Sequence, residues 1–136
     1  EKKQETYTDT MNSVPRAFPA LMRAQKIQKR AARAGFDFTD VSDVYDKIAE
    51  EMVEVSDAAN DQNAAKIKEE YGDLLFSVVN LARFLKIDAE EALAAASDKF
   101  ISRFEKVENL AISRGIDMPN TPIEELDKLW DEVKGN

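Results

Sequence analysis

The sequence contains no cysteine and no histidine among its 136 residues. Without cysteine, disulfide bonds and thiolate zinc sites are excluded, and a reducing cytoplasm is the expected compartment. Without histidine, a metal site in this chain must be built from oxygen ligands. Oxygen ligands select hard cations, so any bound metal is expected to be Mg²⁺ or Mn²⁺.

Long apolar runs and an excess of positive charge are also missing. No stretch approaches the roughly 20 apolar residues that span a bilayer, and no secretory or transit signal opens the sequence, so we expect no membrane partner. The formal net charge of −8 argues against nucleic acid polymers as partners, because those require a basic surface. Six basic residues and no acidic residue lie between Thr10 and Phe36, and this segment is expected to face acidic neighbours or an anionic ligand.

Apolar residues at helical spacing, bounded by helix-capping residues, predict an all-α protein. Residues 1–14 lack this periodicity and are predicted to be a flexible linker or tail ahead of one domain, residues 15–136. The pairs Asp88/Glu91 and Thr121/Glu124 are predicted capping boxes. The predicted helices cover about residues 19–34, 42–59, 62–85 and 88–114, followed by a short last helix from about residue 121.

Two acidic clusters are the candidate functional groups of the sequence: E-E-M-V-E at residues 50–54 and E-E-Y-G-D at residues 69–73. At about 100° per residue, Glu51 and Glu54 fall on one flank of the apolar stripe of their helix, and Glu50 points nearly away. The predicted buried stripe consists of Val44, Ile48, Met52, Val55 and Ala59.

The second cluster begins a line of polar residues on a helix that is otherwise apolar almost all round. After Glu70 and Asp73 this line continues through Ser77, Asn80 and Arg83, and we expect it to face a partly enclosed space. The predicted core face of the same helix consists of Ile67, Tyr71, Leu74, Leu75, Val78 and Ala82.

The two acidic pairs are expected to meet, because their midpoints are equally far from residue 62, where the chain turns. Carboxylates brought together in this way repel one another, and a divalent cation would compensate, with a solvated acidic surface as the alternative. A ferritin-like di-iron site is excluded because it needs Glu-x-x-His motifs. Gly72 costs a helix interior about 1 kcal/mol relative to alanine, so we expect a neighbouring backbone or a ligand to approach it closely.

These motifs resemble those of the MazG nucleotide pyrophosphohydrolases, all-α enzymes with an E-E-x-x-E signature followed by E-x-x-D. The signature corresponds here to Glu50, Glu51 and Glu54, followed by Glu70 and Asp73. The resemblance begins near residue 19 and includes PALMRAQKIQKRA, EEYGDLLFSVVNLAR, KFISRF and LWDEVK. The chain looks like the second, catalytic domain of the two-domain bacterial members, which fits a linker-like start.

The resemblance implies a four-helix-bundle-type fold and Mg²⁺-dependent hydrolysis of nucleoside triphosphates at the α–β phosphate linkage. The products would be a nucleoside monophosphate and pyrophosphate, in nucleotide-pool housekeeping or a stress response. Mg²⁺, or Mn²⁺, would be bound by Glu51, Glu54, Glu70 and Asp73. Glu50 would be an outer carboxylate or a base that orients water.

The resemblance also implies substrate contacts outside the acidic signature. Lys99 and Arg103, at i and i+4, would hold the polyphosphate, with surface solvation as the alternative. Trp130 would stack on a base, with a role as a core anchor as the alternative. Lys134 and Asn80 would contact the nucleotide, Asn80 at the ribose or base.

Two other functions stay open at this point. The acidic signature is shared with dCTPases and dUTPases of the same superfamily, so a narrow-specificity enzyme is one alternative. A non-catalytic helical dimerisation module is the other. The third predicted helix has more apolar surface than a single four-helix unit covers, and we therefore expect a homodimer or higher homo-oligomer.

Overall fold

The computed structural model describes residues 5–135, which form six α-helices, one short 3-10 helix and no strand. The predicted all-α class is therefore confirmed for this part of the chain. The helices are α1 (Tyr7–Asn12), α2 (Ala20–Arg33), α3 (Val41–Asn60), α4 (Ala64–Phe84), α5 (Ala89–Ser113) and α6 (Ile123–Lys134), with the 3-10 helix at Met118–Asn120.

Helix α1 lies inside the segment predicted to be a linker or tail and was not predicted. Thr6 and Asp9 cap its start reciprocally, each side chain accepting a hydrogen bond from the other residue's backbone N–H. Arg30 of α2 donates to the Thr10 carbonyl and, over 2.7 Å, to the Ser13 hydroxyl. A six-residue helix is too short to show helical periodicity. The linker assignment itself stays a prediction, and its first four residues lie outside the described residues.

The four longer helices form within two residues of their predicted bounds. Gly35 and Gly115 follow α2 and α5 with φ of +86° and +68°, the left-handed conformation that commonly ends helices at glycine. Asn63 caps α4 by accepting from the Lys66 N–H at 3.1 Å. Local capping chemistry therefore accounts for three of the observed helix ends.

The predicted capping box of the last helix is wrong. Pro122 occupies the position before α6 and no side chain caps that end. The Thr121 hydroxyl instead donates to the Asp117 carbonyl, which belongs to the turn before the helix. The start of α5 receives a partner from far away in sequence: the Gln25 amide accepts from the Ala89 N–H and donates to the Ile87 carbonyl.

The chain divides into two compact units between Glu90 and Glu91. In the first unit, α3 and α4 form a helical hairpin, α2 packs on α4, and α1 packs on α2. Its buried apolar residues are Val14, Val44, Ala58, Val79 and Ala82. The second unit contains most of α5 together with α6, whose buried core consists of Val107, Ala111, Leu129 and Val133.

The predicted apolar stripes of α3 and α4 are buried only in part. Val44 is 1% exposed, but Met52 of the same predicted stripe is 55% exposed. On α4, Ala82 is buried, whereas Tyr71, Leu75 and Val78 are 53%, 42% and 46% exposed. Helical periodicity identifies which face is apolar, but burial depends on what covers that face, so the prediction of burial is wrong at these residues within this chain.

None of the helices in residues 5–135 is both long and apolar enough to span a membrane. Location in the cytoplasm and the absence of a nucleic acid polymer as partner stay predictions.

Gly72 lies in α4, and a Cβ atom built on it meets no heavy atom within 4 Å. The expected close approach of a neighbouring backbone is therefore wrong for residues 5–135. Gly115 is also surrounded by open space, but its φ of +68° is one that other residues rarely adopt. The two glycines thus differ in backbone conformation and not in available space.

We expect Gly72→Ala to raise the free energy of unfolding by about 1 kcal/mol, because alanine has the higher helix propensity and its methyl group enters open space. Gly115→Ala is the matched control, and it should lower the same quantity by roughly 1–2 kcal/mol through left-handed strain. Urea unfolding measures both changes. A destabilised Gly72→Ala protein would contradict the open space found at this position.

Candidate functional site

The hairpin of α3 and α4 places three carboxylates together. Glu51 of α3 meets Glu70 and Asp73 of α4, and one ligand oxygen from each lies within 4.8 Å of the others. The i, i+3 spacing of Glu70 and Asp73 puts both on one face of α4. Three of the four residues predicted to bind a metal are therefore brought together by the fold, which follows the equal spacing of both acidic pairs from the turn.

The environment of this acidic cluster changes from buried to open across the three residues. Glu51 is only 7% exposed, Glu70 is half-buried and Asp73 is exposed. The Glu51 Oε2 atom is buried with no hydrogen-bond partner in residues 5–135. A buried carboxylate oxygen without a partner is unfavourable, and a cation would satisfy it. The all-oxygen donor set suits a hard divalent cation.

The charges around Glu70 also favour binding of a cation at this cluster. Its pKa is raised above the ordinary glutamate value, first by the loss of hydration and then by repulsion from its acidic neighbours. A nearby cation would reverse this shift by stabilising the ionised form. The acidic neighbours that raise the pKa are Glu54, Asp73, Glu51 and Glu69.

The remaining members of the acidic signature lie beside the cluster. Glu54 is half-buried one turn after Glu51 and contributes to the repulsion on Glu70, but it is outside the close group of three. Glu50 is exposed, and its carboxylate lies 3.6 Å from the Lys47 ammonium. Metal binding by Glu54 and an outer role for Glu50 stay predictions.

Lys47 is a site residue that the sequence analysis missed. Its ammonium lies 3.0 Å from Glu51 Oε1, one helical turn away, and the hydrogen bond with Glu51 is the largest cause of its raised pKa. The i, i+4 spacing of a lysine and a glutamate was the available signal. Most such pairs lie on solvated helix surfaces, which is why spacing alone does not identify a pair whose carboxylate is buried.

The polar line of α4 continues beyond the acidic cluster. Arg83 donates to both carboxylate oxygens of Asp37, at 3.0 and 2.5 Å, and hydrogen bonding by Arg83 is the main cause of the lowered pKa of Asp37. Arg83 also donates to Asn80 Oδ1 at 3.2 and 3.0 Å. Because Arg83 occupies only the oxygen of the Asn80 amide, the amide NH₂ group keeps its donor capacity for other partners.

The other predicted substrate residues belong to the second unit. Lys99 is exposed on α5, and Arg103, one turn further on, places its guanidinium 6.0 Å from the centre of the Trp130 ring. Trp130 is half-buried against the α5–α6 core, and its ring centre lies 5.4 Å from that of Phe100. Lys134 is exposed in the last turn of α6. The fold thus brings Arg103 to Trp130 inside this unit.

The part of the chain that carries the acidic cluster matches a known protein family. The family model described as "MazG nucleotide pyrophosphohydrolase domain" matches residues 39–108, a segment that contains both acidic pairs. A nucleoside triphosphate pyrophosphohydrolase of Escherichia coli strain K12 is 46% identical over 138 residues, covering 98% of this chain and 52% of that protein.

Two further relatives give similar results. The nucleoside triphosphate pyrophosphohydrolase/pyrophosphatase MazG of Thermotoga maritima is 41% identical over 135 residues, covering 99% of this chain and 52% of that protein. The uncharacterized protein YabN of Bacillus subtilis is 44% identical over 137 residues, which cover 98% of this chain and 27% of YabN. The chain thus spans about half the length, or less, of the curated relatives that it matches.

Neutralising Glu70 should stabilise the metal-free protein at neutral pH. Because its pKa is raised in the folded state, ionised Glu70 disfavours folding above that pKa, and the effect disappears below the ordinary value of 4.5, where both states are protonated. We expect Glu70→Gln to raise the melting temperature at about pH 7 and to leave it unchanged near pH 3. Thermal unfolding at both pH values tests this.

The matched control for Glu70→Gln is Glu105→Gln, an exposed position of α5 outside the acidic cluster. Mg²⁺ should raise the melting temperature of the unaltered protein more than that of Glu70→Gln, because the variant lacks one anionic ligand. A destabilised Glu70→Gln protein at neutral pH without metal would contradict the proposed repulsion.

Proposed function

This chain belongs to the MazG nucleotide pyrophosphohydrolase domain family, and from that premise we propose that it hydrolyses nucleoside triphosphates at the α–β phosphate linkage. Water attacks one phosphorus of the linkage, the bond from that phosphorus to the bridging oxygen breaks, and the bridging oxygen leaves on the other phosphorus. After the protons of water are released, the products are a nucleoside monophosphate and pyrophosphate. The observation that carries the proposal is the close group of Glu51, Glu70 and Asp73 on the α3–α4 hairpin. The names of the relatives from Escherichia coli and Thermotoga maritima support it.

Glu51, Glu70 and Asp73, together with Glu54, would hold Mg²⁺, with Mn²⁺ as the other candidate. When bound, such a cation would neutralise the negative charge that develops on the phosphates and would make water a better nucleophile. The partnerless oxygen of Glu51 and the raised pKa of Glu70 support this assignment. By inverting the local charge, the cation would allow an acidic protein to accept a polyanionic substrate.

Two neighbouring side chains would organise the cluster. Lys47 holds Glu51 Oε1 at 3.0 Å, which leaves Oε2 as the oxygen available to a cation. Glu50, exposed next to this pair, would act as the outer carboxylate that orients the attacking water or accepts its proton. Removal of Lys47 would then disturb the site through the position of Glu51, without loss of a substrate contact.

In the second unit, Lys99 and Arg103 would bind the polyphosphate by charge-assisted hydrogen bonds, and Trp130 and Lys134 would contact the nucleotide. The exposure of Lys99 and Lys134 supports their availability to a ligand. In the first unit, Asn80 would contact the ribose or base through its amide NH₂ group.

The proposed reaction is tested by incubating the chain with each ribo- and deoxyribonucleoside triphosphate and Mg²⁺. We expect pyrophosphate and the monophosphate as products, identified by chromatography and ³¹P NMR. Glu51→Gln, Glu70→Gln and Asp73→Asn should each abolish turnover while helical content is retained, since each removes an anionic ligand.

The products also separate the alternatives. Release of inorganic phosphate with a diphosphate would contradict cleavage at the α–β linkage. Turnover of dCTP or dUTP alone would favour the narrow-specificity enzyme. The absence of turnover with every triphosphate would leave the non-catalytic dimerisation module. Full activity in Glu70→Gln and Asp73→Asn would contradict the role assigned to the cluster.

Removing Lys99 or Arg103 should weaken catalysis similarly for all triphosphates, because phosphate groups carry no base identity. Loss of a charge-assisted hydrogen bond worth about 1.5–3 kcal/mol corresponds to roughly tenfold to hundredfold in kcat/KM. Steady-state kinetics of Lys99→Ala and Arg103→Ala, with Lys106→Ala on the same helix as the control, measure this effect. Unchanged kinetics in the double variant would refute the phosphate role.

We also propose a homodimer that covers the exposed apolar face of the hairpin. Tyr71, Leu75 and Val78 recur at spacings of four and three residues and therefore lie along one side of α4, each at least 42% exposed. Exposed apolar groups of this kind mark interfaces, and closed two-fold dimers are the commonest homo-oligomers. Met52 extends the apolar surface onto α3.

Sedimentation velocity should show a dimer at micromolar concentration, and Val78→Asp should shift the population towards monomer, because the charge would be buried in the interface. Asp131→Asn, at an exposed position in α6, is a control that changes charge outside this face. A single monomeric species of the unaltered protein would contradict the proposed homodimer.

A further inference from the structure

A cavity of about 560 Å³ opens in the first unit beside α2, α4 and the segment that joins α2 to α3. This volume lies within the roughly 300–1,000 Å³ typical of small-molecule sites. Its walls include the rings of Phe36, Phe38 and Phe76, and we call it the phenylalanine cavity. Gln28 and Asn80 are among its few polar wall residues.

Gln28, a wall residue of the cavity, has a hydrogen-bond acceptor that no described residue uses. The residue is 6% exposed, and its Nε2 donates to the Phe76 carbonyl at 2.8 Å. A carbonyl accepts only from the NH₂ end of an amide, so this bond fixes the amide orientation. Gln28 Oε1 is buried and has no hydrogen-bond partner within the described part of the chain. Because Gln28 lines the cavity, a ligand bound there can supply the missing donor.

The aromatic walls favour a flat ligand. Phe36 is 83% exposed, Phe76 46% and Phe38 38%, an unfavourable state for three large apolar side chains around one cavity. Aromatic side chains of this kind stack on nucleobases without requiring a particular base. A planar ring with an N–H donor on its edge therefore matches both the walls and the free acceptor.

The cavity and the acidic cluster both include residues of α4. Asn80 follows Asp73 by seven residues, which corresponds to about 10.5 Å along the axis and to nearly the same helix face. Phe76 lies between them in sequence. A nucleotide whose phosphates reach the acidic cluster would therefore extend its base along α4 towards the phenylalanine cavity.

We propose that the phenylalanine cavity binds the nucleobase of the substrate, with the base stacked on the phenylalanine rings and an edge N–H donating to Gln28 Oε1. The inference rests on the proposed hydrolysis of nucleoside triphosphates, and it identifies the place in the first unit where the enzyme would distinguish one base from another. The amide NH₂ of Asn80 contacts the same nucleoside. Base selection is thereby assigned to Gln28 and the aromatic walls of the cavity.

The first test compares substrates that differ at the base. Gln28→Met keeps the approximate size of the side chain and removes the acceptor. It should lower kcat/KM about threefold to tenfold for the preferred nucleoside triphosphate and leave ribose 5-triphosphate, which has no base, unchanged. Purine riboside triphosphate, whose base has no edge N–H donor, should also be insensitive to the substitution.

A second variant separates ligand contact from folding, because Gln28→Met also loses the bond to the Phe76 carbonyl. Phe36 is mostly exposed, so Phe36→Ala should leave the melting temperature unchanged while it lowers kcat/KM for nucleotides and not for ribose 5-triphosphate. Tyr7→Ala removes another exposed ring outside the cavity and serves as the matched control.

A binding measurement without catalysis completes the test. Adenosine, guanosine, cytidine and uridine are added without metal, and the ¹⁵N resonances of the Gln28 and Asn80 side-chain amides are followed by NMR. Shifts at both amides for at least one nucleoside support the proposal. If no nucleoside shifts them, or if Gln28→Met and Phe36→Ala affect ribose 5-triphosphate and nucleotides equally, the cavity assignment is overturned. Nucleoside binding without triphosphate turnover would overturn the proposed hydrolysis and retain the cavity.

Discussion

The α3–α4 hairpin holds Glu51, Glu70 and Asp73 together against their mutual repulsion, and the rest of the site depends on this constraint. Apolar packing of the two helices, with Ala58 and Val79 buried, brings the carboxylates within 4.8 Å of one another. Lys47 offsets the charge of one Glu51 oxygen and leaves the other without a partner. The hairpin is thus stabilised by its core and destabilised at the acidic cluster, a balance that suits a cation-binding site.

Contacts of α4 with α2 and with the segment after α2 form a second feature of the first unit. Gln28 of α2 bonds the Phe76 carbonyl, and Arg83 of α4 binds Asp37 in the segment after α2. The lowered pKa of Asp37 means that its ionised form, and hence this ion pair, is favoured at neutral pH. These two contacts hold the walls of the phenylalanine cavity, whose aromatic rings and polar groups therefore depend on the same helix that carries Glu70 and Asp73.

The helices and the meeting of the acidic pairs were predictable from sequence because both depend on local spacing. The midpoints of the two acidic pairs are equally far from residue 62, and this was enough to predict that Glu51 meets Glu70 and Asp73. Gln28 and Phe76, in contrast, are 48 residues apart, and no local pattern indicates that they touch. The exposure of Tyr71 and Val78 could not be predicted from sequence either, because periodicity identifies an apolar face but not what covers it.

Helix α2 carries an excess of positive charge, because it contains lysine and arginine residues and no acidic residue. Arg30 of this helix bonds uncharged groups around α1, and the Lys26 ammonium lies 5.8 Å from the centre of the Phe18 ring. The expectation that this segment faces acidic neighbours or an anionic ligand stays a prediction. On a protein with a net charge of −8, such a local excess of cations would attract a polyphosphate to a surface that otherwise repels it. In the proposed reaction, the acidic hairpin would need a cation only where the phosphates react, and the basic helix would favour the approach of the substrate.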